Sequence, residues 1–374
     1  MAQAATKRTG IFERILWIAT LAMSFILLIA IISPLFNPSN LWIPSFFGLA
    51  YPYIALLTLI MAGIMLLFSF KKAMFPVLVF ICGIGPCKHT LKVTPTSNAF
   101  SKNETDITLL SQNVHLMGIY DTTGIITIDS LLDVIQSESP DVACFQEFYL
   151  REKYTGKNCE PFMQAGQFNN YATSLYADST TDTYLSLITF TKFPLLNQGV
   201  VRTPDNTARN IFALWCDLKV NDDTVRVYNV HLQSIGFTEN EESLFDENGD
   251  DNGEIQVKSK STARKLKRAF VARSKQVEIL AAHIDSCNYP VFLAGDFNDT
   301  PVSYSYRKLR GELKDAFLES GSRGMGKTYN GPFPSYRIDY IFYPDGFESA
   351  EFKVFGRHYS DHFPISGRFR RNQK

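Results

Sequence analysis

The sequence predicts an α/β domain carried behind membrane helices, and three observations carry that expectation. From residue 106 onward short β-type runs alternate with helical segments, the pattern of a mixed α/β architecture. Ahead of that point lie long apolar runs without a single charge, at residues 15–36 and 41–70. Between the two halves of the α/β pattern, a buried-type strand, Pro290-Val291-Phe292-Leu293-Ala294, opens at Gly295 into Asp296, Asn298 and Asp299, and Thr300-Pro301 ends it. Oxygen ligands clustered at the end of a core strand suit a hard cation such as Mg2+ or Ca2+. An Asx-rich turn capping a strand has the same composition, so the rest of the chain must decide.

The chain has 374 residues, room for two average domains or for one large domain beside an accessory region. Lys+Arg and Asp+Glu are equal at 37 each, so no global basic field marks a dedicated nucleic-acid binder. The cysteines (Cys82, Cys87, Cys144, Cys159, Cys216, Cys287) show neither CxxC nor Cys/His spacing, which argues against a zinc site and a disulfide framework. Cys144 and Cys216 sit in apolar, strand-like runs and read as small core residues.

Residues 1–90 form a membrane anchor with spans at about 15–36, 48–70 and 73–87. Asn37-Pro38-Ser39-Asn40 breaks the first two apart, and Lys71-Lys72 ends the second. The third run is short and contains Pro76 and Pro86. A second long apolar segment excludes a cleavable signal peptide. Lys7, Arg8 and Arg14 favour a cytoplasmic N-terminus. If residues 73–87 cross, everything after Lys88 lies outside the cytoplasm; if they rest in the interface, it stays inside. Crossing is expected, because a charge-free apolar run is costly to leave in water. Spans without intramembrane charge offer no transport pathway, so this region anchors.

Residues 91–105 read as a polar linker. Residues 107–111 then read as a strand leading into Asn113, and residues 127–137 as a helix stopped by Ser139-Pro140. Strands follow at 141–145, ending in Gln146-Glu147, and at 185–191, 211–218 and 225–230, the last ending at His231. Residues 239–254 are acidic and nearly free of apolar side chains, marking an insertion loop over about 237–257. A basic helix is expected over 258–284, with Arg273 and Gln276 as packing or capping partners. Residues 337–343 form a strand containing Asp339, and Asp361-His362 precede the last strand. Gly324-Met325-Gly326-Lys327-Thr328-Tyr329 reads as a flexible surface turn, with a loop at the rim of a site as the alternative.

Polar residues thus close or interrupt six apolar runs: Asn113, Glu147, His231, the Asp296/Asn298 pair, Asp339 and the Asp361-His362 pair. Each alone has a plain reading as a turn residue, a surface charge or a hydrogen-bonded core histidine. Asp339 is the hardest to dismiss, since a buried carboxylate needs a partner, and His362 is its natural one. The joint occurrence at six strand ends is the stronger signal.

The ordered set Ser111-Gln112-Asn113, Phe145-Gln146-Glu147, Asn229-Val230-His231-Leu232, Gly295-Asp296-Phe297-Asn298-Asp299-Thr300-Pro301, Arg337-Ile338-Asp339-Tyr340 and Ser360-Asp361-His362-Phe363-Pro364 resembles the endonuclease/exonuclease/phosphatase superfamily. The resemblance covers residues 106–370 and leaves the membrane segment outside. It implies a four-layer α/β sandwich of the DNase I-like type, with the site at one end. It also implies a Mg2+ (or Mn2+) ion on Glu147 and Asn113, with Asp361 completing the shell. Asp296 would activate the water with help from Asn298, His231 and His362 would contact the phosphate, and Asp339 would orient His362. Asn229 would contact substrate, as would Arg209, for which a plain surface arginine is the alternative. A bacterial, multi-pass protein of the inner (cytoplasmic) membrane with an extracytoplasmic catalytic domain is the expected setting, and no obligate protein partner is evident.

The leading expectation is therefore a membrane-anchored, metal-dependent hydrolase of phosphoesters, acting on a lipid headgroup, an inositol or sugar phosphate, or another small ester. An extracytoplasmic nuclease using Lys258, Lys260, Arg264, Lys265, Lys267 and Arg268 is the alternative, although that basic run also suits a solvated helix face. A non-catalytic scaffold is disfavoured, since a degenerate copy would have lost at least one of these residue types.

Overall fold

The computed structural model describes residues 2–94, 103, 105–118, 128–151, 155–174, 176–177, 183–204, 211–236, 252–331, 337–356 and 360–372. They fall into two units, one of residues 1–91 with 299–307 and one of residues 92–298 with 308–374.

The first unit is helical: α1 (Ala2–Ile32), α2 (Ile43–Leu49), α3 (Tyr51–Leu66), α4 (Phe70–Cys82) and α5 (Ile84–Thr90). Gly10–Leu35 is long and apolar enough to cross a membrane. The span expected at 48–70 is instead a pair, α2 and α3, bent by 71°, and α4 and α5 form a second pair bent by 58°. Proline explains both breaks, because its ring collides with the carbonyl four residues back. Pro52 therefore stops a helix from running through Gly48, and Pro86 stops one at Cys82. The Tyr51 hydroxyl donates to Gly83 O at 2.7 Å, alongside the Cys87 amide at 3.0 Å, and ties α3 to the second break. Leu27, Ala30, Tyr51, Ala55 and Val79 pack with Val302 in this unit's interior.

The second unit runs β1 (Ile107–Asn113), α6 (Ile128–Glu138), β2 (Val142–Arg151), α7 (Thr155–Gly166), β3 (Asn170–Thr173), β4 (Tyr176–Ala177), β5 (Thr183–Thr191), β6 (Leu195–Arg202), β7 (Ile211–Val220), β8 (Asp223–His231), α8 (Asn252–Asp285) and β9 (Val291–Asp296). After α9 (Tyr304–Arg310) come β10 (Lys314–Asp315), α10 (Ala316–Ser320), β11 (Asp339–Tyr343), β12 (Phe347–Val354) and β13 (Ile365–Arg371). One mixed sheet has the order β12-β13-β1-β2-β5-β3 with β4 on β5; the other has β10-β11-β9-β8-β7-β6. The parallel pairs are β1 with β2 and β8 with β9.

Alternation along the strands assigns each face. Leu109 and Cys144 join Cys216, Val227, Phe292 and Ile341 in the core between the sheets. Their neighbours Leu110, Ala143 and Phe145 face outward and bury Leu131, Val134 and Ile135 of α6 and Phe162 of α7. Beyond the second sheet lies α8, where His283 Nδ1 meets the Tyr228 hydroxyl at 2.7 Å. The result is the expected four layers, helix, sheet, sheet, helix.

Several boundaries differ from expectation. β2 continues past its bulge to Arg151, and α8 begins at Asn252, so residues 252–257 are helical rather than looped. The remainder of the expected insertion, 237–251, lies outside the described residues. Lys92, expected in the linker, is buried: its main chain pairs with Gly324 and its ammonium donates to Phe317 O and Leu318 O.

Candidate active site

Strand ends build the site. At the close of β1, Asn113 Nδ2 lies 3.2 Å from Glu147 Oε1 and 3.1 Å from Asp296 Oδ2. Its Oδ1 accepts the His115 amide at 3.0 Å and keeps a second lone pair. Glu147 arrives there by a local irregularity. The β2–β5 register slips between Phe145 and Phe148, and Glu147 adopts φ 53°. Such bulges re-aim side chains, and a left-handed glutamate persists only where its surroundings impose it.

The second sheet supplies the facing groups. His231 ends β8 opposite Asp296 at the end of β9, and Asp339 at the start of β11 pairs with Asp296 from the other side. Gly295 permits the close approach, with φ 140° and a Cα hydrogen directed at the main chain of Val230. Both oxygens of Asp296 are held, Oδ1 by the Asn298 amide at 2.7 Å and Oδ2 by Asn298 Nδ2 at 3.0 Å. Asn298 adopts φ 53° and also donates to Leu232 O at 3.0 Å. His231 Nε2 is buried without a hydrogen bond, 3.5 Å from Glu147 Oε1 and 3.7 Å from Asp296 Oδ2.

His362 Nδ1 lies 3.0 Å from Asp339 Oδ2, which directs Nε2 toward Asp296 Oδ2 at 3.7 Å. Burial opposes charge on this imidazole, yet Asp339 and Asp296 beside it outweigh burial and hold its pKa well above the ordinary value. Burial likewise pushes the Asp296 carboxyl up, with His362 pulling the other way and Asp339 reinforcing the rise. Around them, Thr328 Oγ1 accepts the amides of Ile338 and Asp339 at 3.0 and 3.1 Å, and the Tyr329 ring packs edge-on against His362. The segment read as a flexible turn thus forms a wall of the site, because its one buried hydroxyl caps the strand that carries Asp339. No local pattern in the sequence signals that.

Asp361 stands at the rim. Its Oδ1 accepts from Ser360 at 3.0 Å, and the same hydroxyl reaches Asn113 O at 2.9 Å. Asn229 does not join the cluster. Its amide donates to Phe145 O and Ile188 O and accepts from Gln146 Nε2, fully buried between the sheets. It shares a strand face with His231 but lies one pleat deeper, so its place is structural rather than at the substrate. Arg209 lies outside the described residues. Asp299, third in the acidic stretch, accepts the Ser305 hydroxyl at 2.8 Å in a turn of the helical unit. Arg273 and Gln276 hold the main chain of Gln233, two residues past His231.

The donors fit a hard divalent cation. The Glu147 and Asp296 carboxylate oxygens lie about the same Asn113 amide and His231 ring, and no thiolate is near, which suits Mg2+ or Mn2+. The orphaned His231 Nε2 and the raised pKa of Asp296 both mark a concentration of buried charge that the protein alone leaves incompletely paired. Asp296, Asp339 and His362 are compact enough to bind an ion among the described residues, with ligand atoms within 4.8 Å. The Asp339–His362 hydrogen bond accounts for that compactness.

A two-sheet α/β sandwich with carboxylates and imidazoles gathered at its strand ends defines a phosphoesterase-type scaffold. The family model described as the endonuclease/exonuclease/phosphatase family matches residues 125–362, and the chain belongs to that family. A domain of unknown function matches residues 13–90. No curated protein matches the chain. Among solved structures, a humanized D. rerio TDP2 is 16% identical, with 71% of this chain and 100% of that one covered, at a TM-score of 0.50. An endonuclease/exonuclease/phosphatase from Beutenbergia cavernae DSM 12333 is 18% identical, covering 71% and 72%, at 0.49. One from Bacteroides vulgatus is 16% identical, covering 72% and 100%, at 0.47.

Proposed function

We propose that the chain is a membrane-anchored, metal-dependent hydrolase of phosphoester bonds, acting on a lipid headgroup, an inositol or sugar phosphate, or another small ester. The observation that carries this reading is the convergence of Asn113, Glu147, His231, Asp296, Asn298 and the Asp339–His362 pair at the ends of β1, β2, β8, β9 and β11. Glu147 and Asn113, with Asp361 at the rim, would hold Mg2+ or Mn2+. That ion, when bound, supplies Lewis-acid stabilisation of phosphate and leaving-group charge. Asp296, fixed through both oxygens, orients the attacking water and accepts its proton. His362, kept protonated by Asp339, donates from Nε2 to a phosphate oxygen, and His231 donates from the other side. Asn298 holds Asp296 in place. Gly10–Leu35 supports anchoring in a bilayer, and the two bent pairs would make the anchor multi-pass in the inner membrane. An odd number of crossings from a cytoplasmic N-terminus leaves the catalytic unit extracytoplasmic.

The test uses the full chain in detergent with Mg2+ or Mn2+, offered bis-p-nitrophenyl phosphate, p-nitrophenyl phosphate, sphingomyelin and plasmid DNA. Metal-dependent turnover should fall by about 100-fold or more in Asp296→Ala and in His362→Ala. Turnover that survives in both folded variants would sink the reading, and exclusive cleavage of the plasmid would move the substrate to nucleic acid.

A further inference from the structure

Outside the strand-end cluster, a groove of about 740 Å3 runs along α8. Lys267, Arg268, Lys275 and Gln276 of the helix form one wall, and Thr203 and Gln233 stand opposite. Arg268 and Lys275, seven residues apart, recur at the spacing of a single face and project together, with Lys267 to one side of them. Among the described residues no carboxylate lines the groove. The Gln276 carbonyl oxygen accepts the Gln233 amide at 2.9 Å, which leaves its NH2 group as the end available for donation. Pro204, Val271, Ala272 and Ile279 line the rest of the groove, and among its described polar groups donors predominate over acceptors, which suits an anion carried on a partly apolar framework. Guanidinium and ammonium groups together favour phosphate.

The groove is joined to the reaction site by three residues. His231 lies beside Asp296, Leu232 donates to Asp296 O at 3.0 Å and accepts from Asn298, and Gln233 forms the groove wall. Gln233 is pinned from the helix side as well, by Gln276 and by Arg273 Nη1 at 3.1 Å. Two residues of extended chain span about 7 Å, the scale of one sugar ring. Among the described residues no aromatic ring lines the groove, so these residues offer no stacking surface of the kind that single-stranded nucleic acid uses.

We propose that this groove is a second phosphate-binding subsite, and that the substrate is a small ester carrying one phosphate there and its scissile phosphate at the strand-end cluster. The assignment of the scissile phosphate rests on the phosphoesterase reading above; the subsite rests on the groove. The full chain in detergent is titrated calorimetrically with fructose 1,6-bisphosphate, fructose 6-phosphate and decathymidylate, as wild type and as Arg268→Ala/Lys275→Ala. Both side chains are exposed, so the variant should keep its fold, checked by an unchanged Tm. The bisphosphate should bind about tenfold more tightly than the monophosphate, and the double variant should erase that preference without changing monophosphate affinity or bis-p-nitrophenyl phosphate turnover. Equal binding of the two sugars in the wild type, or a preference that survives in the variant, overturns the subsite. Decathymidylate that outbinds the bisphosphate and is lost in the variant overturns the small-ester assignment in favour of a strand. A preference that tracks Arg268 and Lys275 in a protein without turnover upholds the subsite and overturns the hydrolase reading instead.

Discussion

Replacing Gly295 by alanine should damage fold and site together. In the parallel pairing of β8 and β9, Val230 faces Gly295 and His231 faces Asp296, so any displacement there moves two site residues at once. A Cβ at 295 would lie 2.8 Å from both the amide nitrogen and the carbonyl carbon of Val230, and nearer still to its oxygen. These are main-chain atoms in a ladder and cannot rotate aside. An L-residue at φ 140° carries about 1–3 kcal/mol of conformational strain. Forcing the strands apart adds about 1–3 kcal/mol in the manner of overpacking. A total near 4 kcal/mol corresponds to a Tm lower by about 8–16 °C for a unit of this size. Misplacing Asp296 against His231 by about 1 Å should cost about 100-fold in turnover. Gly346→Ala provides the control, since Gly346 has φ 87° but nothing within 4 Å of its added Cβ; it should show the strain without the collision. Thermal unfolding of the full chain in detergent, and turnover measured well below the transition, read both effects. Equal Tm values for the two variants, with turnover intact in Gly295→Ala, would refute the claim that close strand approach organises the site.

Two further perturbations address the frame around it. Arg337 Nη1 lies 2.7 Å from Asp315 Oδ2, both side chains are fully buried, and the guanidinium stacks over Phe317 and Tyr340. Asp315→Ala should cost about 3–5 kcal/mol in denaturant unfolding by stranding a buried charge, and Asp315→Ala/Arg337→Met should recover much of it. At acid pH, Asp106 is the group to follow. Burial would raise its carboxyl, but the Arg370 guanidinium at 2.7 and 2.8 Å and the Asn103 amide more than reverse this, so its folded pKa lies below the unfolded value of 3.8. The sign is then fixed: its contribution is present above pH 3.8 and disappears as pH falls through the lower, folded pKa. Asp106→Asn should accordingly lower Tm at neutral pH, and the difference from wild type should vanish in strong acid.

The strand ends were legible because Asn113, Glu147, His231, Asp296, Asp339 and His362 each interrupt an apolar run, and polarity there has few structural explanations. What local pattern could not convey was geometry set by distant partners. Glu147 reaches Asn113 only because β2 bulges, and the strand read as ending at Glu147 continues past the bulge to Arg151. Thr328 is an unremarkable turn residue until its hydroxyl meets two amides of β11. Asn229 misled because its neighbour His231 lies in the site, while its own side chain is sealed between the sheets. β6 escaped notice for the opposite reason: as an edge strand it exposes Leu196, Asn197 and Gln198 in succession, so no alternation appears. The expected second span breaks at Pro52, because a run of apolar residues shows length but not the turn at which a proline ends a helix.

Backbone strain and buried charge coincide in this unit, and one cause links them. Glu147 and Asn298 hold left-handed conformations at φ 53°, and Gly295 holds φ 140°, all within the same few strand ends. Asp296, Asp339 and His362 are almost entirely withdrawn from solvent at the same place. The Asp339–His362 pair neutralises itself, which explains why a carboxylate can occupy the interior of β11. Asp296 has no such private partner. It shares the His231 imidazole and the Asn113 amide with Glu147, and burial pushes its carboxyl up. A fold selected for stability alone would place an apolar residue at 296, since well-packed hydrophobic replacements of buried ionic groups are often neutral or stabilising. Strained main chain aimed at an incompletely compensated carboxylate is instead what a site requires when a divalent cation and an anionic substrate are to complete it.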